Sequence, residues 1–142
     1  MLDTVTIQPG TQVLIGVLLL ALVTVESGGW FLTRVLRGKA PANRLQLSFY
    51  RAGHAHAGVL LVLSIAILGV LDSADLPLGW DLVARNGVPL AAILMPAGFF
   101  LSVLGRDPEK PSRVIVLLWI GAASLTAGLL AAGIGLIAAG VS

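Results

Sequence analysis

Four apolar stretches, at about 11–36, 45–71, 82–105 and 112–140, take up nearly all of this 142-residue chain. Each is long enough to supply the roughly 20 apolar residues that a helix needs to cross about 30 Å of hydrocarbon. The links between them are about ten residues or shorter, which leaves no room for a soluble catalytic domain. The composition agrees, with 57% apolar residues, 11% charged residues and a mean hydropathy of +0.98, values foreign to a soluble domain of this size. Unbroken runs such as Val13 to Leu20 lack the in-out alternation of a transmembrane strand. The expected fold is therefore an all-α integral membrane protein, a single four-transmembrane-helix bundle of up-down topology spanning 1–142.

Cysteine is absent, which removes disulfides, thiolate metal sites and iron–sulfur ligation from consideration. The net charge of +2 comes from a few basic residues in the links, and no basic patch with interleaved aromatics offers itself to nucleic acid. Arg34, Arg37, Lys39 and Arg44 cluster around the first link, and Arg106, Lys110 and Arg113 around the third. The second link carries Asp72, Asp75 and Asp81, with Arg85 its only nearby basic residue. The positive-inside rule then orients the chain with both basic links cytoplasmic and both termini outside, in a multi-pass cell-membrane protein. The leader Met1 to Thr4 lacks a basic n-region, so the first helix is expected to be retained and not cleaved.

Proline and glycine punctuate the pattern. Pro41, Pro77 with Gly79, and Pro108 with Pro111 mark the links, while Pro89 and Pro96 fall inside the third helix, where each removes a backbone donor. Trp30, Tyr50 and Trp80 lie near the expected membrane boundaries and suit anchoring. The fourth helix carries Gly121, Ala123, Ala127, Gly128, Ala131, Ala132, Gly135 and Ala139, a small-residue pattern that allows close backbone approach within one chain or between copies.

Against this apolar background, ionisable residues inside the expected spans are the best functional pointers. They are Glu26 on the first helix, and Arg51, His54 and His56 on the second. Measured from the basic ends of their helices, Glu26 and His54 share a depth of about 12–15 Å. Arg44, Ser48, Arg51, His54 and Gly58 recur at spacings of three or four, a stripe expected to face protein and meet Glu26. Glu26, Arg51 and His54 thus form the expected buried polar site. Two residues on an α-helix are rotated by about 200°, so His56 points away from His54. It becomes an expected ligand or interface residue, meeting another helix, a second copy or a partner subunit.

Three functional readings follow. The first, adopted here, is a non-enzymatic structural or complex-associated subunit, embedded in the lipid bilayer as a homo-oligomer or within a larger membrane complex. The second is a proton-linked transporter or channel component, although the His54 face turns to Leu61, Ile65 and Leu68 before reaching Asp72. The third is a haem- or transition-metal-binding redox or assembly protein, with His54 and Met95, or two copies of His56, as axial ligands. There is no H-E-x-x-H, glycine-rich phosphate loop, CxxCH motif or Ser–His–Asp spacing to recommend an enzyme.

Overall fold

The computed structural model of the chain describes residues 7–141; the Met1 to Thr4 leader lies outside them. Four helices follow one another: α1, Pro9–Leu36; α2, Arg44–Leu71; α3, Leu78–Ser102; and α4, Val116–Val141, which a short 3₁₀ turn at Arg113–Ile115 introduces. All four are long and apolar enough to cross a membrane. The boundaries obey local chemistry. Pro9 opens α1 at a position where its missing N–H costs nothing. Gly38, at φ +67°, closes α1 as Lys39 N–H bonds back to the Arg34 carbonyl, a left-handed turn in which a Cβ would be strained.

The third helix departs most from expectation, beginning at Leu78 and ending at Ser102 instead of spanning 82–105. Pro77 presets its N-terminus, and Asp81 sits in the first turn, where a carboxylate complements the free N–H groups. At the other end Gly105 at φ +124° and Asp107 at φ +56° turn the chain out of helical geometry. Pro89 and Pro96 remain inside the helix.

The helices pack in chain order. The α1 backbone approaches only α2, α2 packs against both α1 and α3, and the most intimate pairing is α3 with α4. Of the most apolar 18-residue stretch in each helix, 6% of residues are buried in α1 and 44% in α3, so α1 is a peripheral helix and α3 a central one. The main core joins Leu18, Leu60, Leu61, Leu68, Val88, Ala91, Ala92 and Met95. Ser64, wholly buried among them, donates its hydroxyl to the Leu60 carbonyl of its own helix.

The small residues of α4 are used within the chain. Gly121, Gly128, Ala131, Ala132 and Gly135 are buried, and a Cβ at Gly87 of α3 would stand 2.5 Å from the Gly128 Cα. Ser124 Oγ crosses the same contact to donate to the Gly87 carbonyl at 2.9 Å. Such backbone proximity maximises dispersion contacts.

At the basic end the two links are latched together through Asn43 and Gln46. The Asn43 side chain accepts from Gln46 N–H, while Gln46 Oε1 accepts from Asn43 N–H, closing a reciprocal cap on α2. Asn43 Nδ2 also donates to Asp107 Oδ1 and the Pro108 carbonyl, both at 2.8 Å. Gln46 Nε2 donates to the carbonyls of Val103 and Gly105. Asn43→Ala removes the cap and both bonds to the α3–α4 link, and should cost about 1–2 kcal/mol. Asn43→Ser keeps an N-capping hydroxyl and should lose less. Equal stability of Asn43→Ala and wild type in reversible detergent unfolding would show that the latch is idle.

Candidate functional site

The polar residues singled out from the sequence separate into different environments. Ten residues from the basic end of α2, about 15 Å along the axis, His54 reaches the cleft between α1 and α2. Its ring lies over Gly28 and Gly29, where a Cβ on Gly29 would come within 3.2 Å of the ring Cε1 and 3.4 Å of Nε2. The Gly28–Gly29 pair thus makes room for an imidazole. Among the described residues neither His54 nitrogen has a hydrogen-bond partner, yet neither is sealed from the surface.

Beside His54 opens a cavity of about 310 Å³ between α1, α2 and α3, walled by Ala21, Thr24, Gly28, Ala57, Ala92 and Phe100 among others. Its lining is apolar but for the imidazole and the Thr24 hydroxyl, and that hydroxyl donates to the Ala21 carbonyl at 2.6 Å. A shallower groove on the other side of the α1–α2 contact also borders His54, together with Val25, Gly58, Val59 and Val62. His54 therefore bridges two openings.

His56 is differently placed. Its ring centroid is 5.0 Å from that of Phe99 on α3, and its Nδ1 lies 2.8 Å from the Ala52 carbonyl one turn back. A carbonyl can only accept, so Nδ1 carries the proton in this contact. The imidazole is thus half-satisfied within its own helix, without a second copy.

The expected contact of Glu26 with His54 and Arg51 is not made within the chain. Glu26 and Arg51 are both exposed, and among the described residues neither forms a hydrogen bond or ion pair. The reason is helical phase. Val25 faces Gly58 across the α1–α2 contact, and the next residue, Glu26, is rotated about 100° away from it. On α2, Arg44, Ser48 and Arg51 are all exposed, because they sit about 60–120° around the helix from His54, on the edge of the stripe turned away from α1. His54 alone of the expected triad reaches the contact. Met95 is also kept from His54: it turns towards α4, with its Cγ 2.6 Å from where a Gly121 Cβ would stand. Above His54, the buried leucines Leu61 and Leu68 occupy the core.

The strongest polar cluster lies at the opposite, acidic end and escaped the sequence reading as a unit. The Asp72 side chain, 0% exposed, accepts from Gln8 N–H, Thr11 Oγ1 and Arg85 Nη1. Arg85 also gives its Nε to both Asp81 oxygens at 2.8 and 2.9 Å, and Nη1 to Thr11 Oγ1 at 3.0 Å. One guanidinium thereby ties the start of α1, the end of α2 and the start of α3. The Asp81–Arg85 spacing of four residues, with the lone arginine among three aspartates, was the available signal. Thr11, 61 positions from Asp72, carried none.

Burial pushes the Asp72 carboxyl up, but the hydrogen bonds from Arg85, Gln8 and Thr11 and the Arg85 charge outweigh it, holding the group below its ordinary value of 3.8. Every ionised oxygen there is matched, so this cluster is a structural lock. The openings around His54, by contrast, hold unmatched chemistry, and among the described residues no three His, Asp or Glu side chains converge as a metal site. No family model, curated protein or solved structure matches the chain, so its functional reading rests on this geometry.

Proposed function

We propose that the protein is a multi-pass cell-membrane protein, N-out and C-out, acting as a non-enzymatic subunit of a membrane complex built from its own copies or from other chains. The observation that carries this reading is Glu26, exposed and unpaired ten residues from the basic end of a helix long and apolar enough to span a bilayer. That distance is about 15 Å, well into the hydrocarbon of a bilayer. A charged side chain at the centre of a spanning helix costs about 2.5–3.5 kcal/mol on insertion scales, and such residues nearly always face protein or a water-filled cavity. Within this chain Glu26 faces neither.

The rest of α1 agrees. Leu19, Val23 and Trp30 share the Glu26 face and are 51%, 61% and 64% exposed, and α1 contributes little to the chain's own core. A partner helix carrying a hydrogen-bond donor or a cation opposite Glu26 would cover this face. Arg51 is an exposed cation that a second copy could bring.

The test is assembly. Wild-type protein extracted in a mild detergent should migrate as a complex, and a photo-crosslinker at Val23 should capture its neighbour, with mass spectrometry separating a second copy from another chain. Glu26→Leu should reduce the assembled fraction about tenfold, corresponding to about 1.4 kcal/mol, while Glu26→Gln, which still hydrogen-bonds, should reduce it less. Neither variant should alter the unfolding of the isolated chain, because Glu26 makes no bond within it. An assembled fraction indifferent to Glu26→Leu would defeat the proposal.

A further inference from the structure

We infer that the cavity beside His54 binds the head of a lipophilic quinone or quinol, with the imidazole hydrogen-bonded to a ring carbonyl or hydroxyl oxygen. The inference rests on the membrane placement proposed above, but not on the assembly through Glu26. Two residues apart on one helix, the histidines differ in what they lack. His56 has a carbonyl partner and an aromatic neighbour, whereas His54 has no hydrogen-bond partner among the described residues and borders a cavity of about 310 Å³. Unpaired imidazole nitrogens in an apolar surround are costly, and a neutral imidazole can both donate and accept.

The surroundings select the ligand class. Ala21, Ala57, Ala92 and Phe100 make apolar walls, which disfavour a charged solute. A bare metal ion would find one imidazole and no second strong ligand among the described residues. A phospholipid places its polar groups at the bilayer surface, whereas His54 sits about 15 Å along its helix; an acyl chain at that depth would leave the imidazole unpaired. The volume is at the low end of the roughly 300–1,000 Å³ typical of small-molecule sites. It suits one substituted ring, with its tail directed to lipid, better than a four-pyrrole macrocycle. A ring oxygen of a membrane-soluble quinone answers the imidazole, and the ring itself answers the small side chains and Phe100.

The chain has only two histidines, which makes the experiment direct. Protein carrying ¹⁵N-labelled imidazoles, reconstituted in lipid nanodiscs, is titrated with decyl-benzoquinone and, separately, with menadione; empty nanodiscs measure partition into lipid. The inference requires a saturable shift of the His54 ring resonances with those of His56 unmoved. It also requires that Ala57→Leu and Thr24→Leu, which fill the cavity from two helices, each weaken that binding at least tenfold. The unmoved His56 resonance reports that α2 and α3 stay packed in both variants. Absence of a saturable His54 shift with either quinone, or equal affinity in both cavity-filling variants, would overturn the assignment. So would a Soret band in the purified protein that disappears in His54→Ala, since the site would then belong to a haem.

Discussion

Arg85→Met is expected to destabilise the protein by about 3–5 kcal/mol, the usual cost of stranding one member of a buried ion pair. The Asp72 side chain is 0% exposed and that of Arg85 16% exposed, so removing the guanidinium leaves a buried carboxylate that keeps only Gln8 N–H and Thr11. Asp81→Asn should cost far less, about 0.5 kcal/mol, because Asp81 is 26% exposed and pairs with Arg85 one helical turn away. The pH dependence separates the two states of Asp72. In the wild type its folded pKa lies below the ordinary 3.8, so its contribution is complete above that value and is lost as the pH falls through the folded pKa. In Arg85→Met the Arg85 hydrogen bond and charge that hold the carboxyl down are gone, so its pKa rises; that variant should gain less stability than the wild type as the pH rises from about 3.5 to 7. The double variant Asp72→Leu/Arg85→Met should recover much of the loss, because the stranded charge is gone. Reversible unfolding in mixed micelles at pH 3.5 and 7 measures all four. An Arg85→Met protein as stable as wild type at pH 7, or one with the wild-type pH slope, would remove Arg85 from its role as the lock.

How much of this arrangement the sequence discloses depends on the range over which each residue acts. The four helices are legible because apolar length is a local property: α1 and α2 begin within two residues of the expected positions, and α3 and α4 each begin four residues away, α4 after a 3₁₀ turn. The position of His54 along α2 and its opposite orientation to His56 were also legible, since both follow from counting along one helix. Its seat over Gly28 and Gly29 was not: paired glycines equally suit the approach of another backbone, and here they make room for a side chain. The rotation of α1 about its own axis was not legible. A shift of 100°, one residue, decides whether Val25 or Glu26 faces α2, and a helix apolar on nearly all sides offers no contrast to fix that angle. The Asp72–Arg85–Thr11 lock was hidden for another reason. Its members are contributed by three helix ends far apart in sequence, and only the packing order of α1, α2 and α3 brings them together.

The most intimate pairing in the bundle, α3 with α4, has a crossing that tolerates no side chain. Gly87→Ala should destabilise the protein by about 3 kcal/mol, at the upper end of the cost of overpacking. The added Cβ would lie 2.5 Å from the Gly128 Cα, 2.8 Å from its nitrogen and 2.9 Å from the Ser124 carbonyl oxygen. All three are backbone atoms, so no rotamer change relieves the clash, and α3 must move away from α4. That movement breaks the Ser124 Oγ–Gly87 carbonyl hydrogen bond and displaces Arg85, two residues earlier, from the Asp72 lock. Gly133→Ala makes the same chemical change on α4, but the new Cβ would meet nothing within 4 Å. It should stabilise the protein by about 0.5–1 kcal/mol through the lower conformational freedom of alanine in the unfolded chain. Opposite signs for one substitution at two helical glycines isolate steric closeness from helix propensity, which predicts a gain at both. Unfolding of the two variants side by side decides the matter: a Gly87→Ala protein as stable as Gly133→Ala would mean that α3 and α4 do not cross with their backbones in contact.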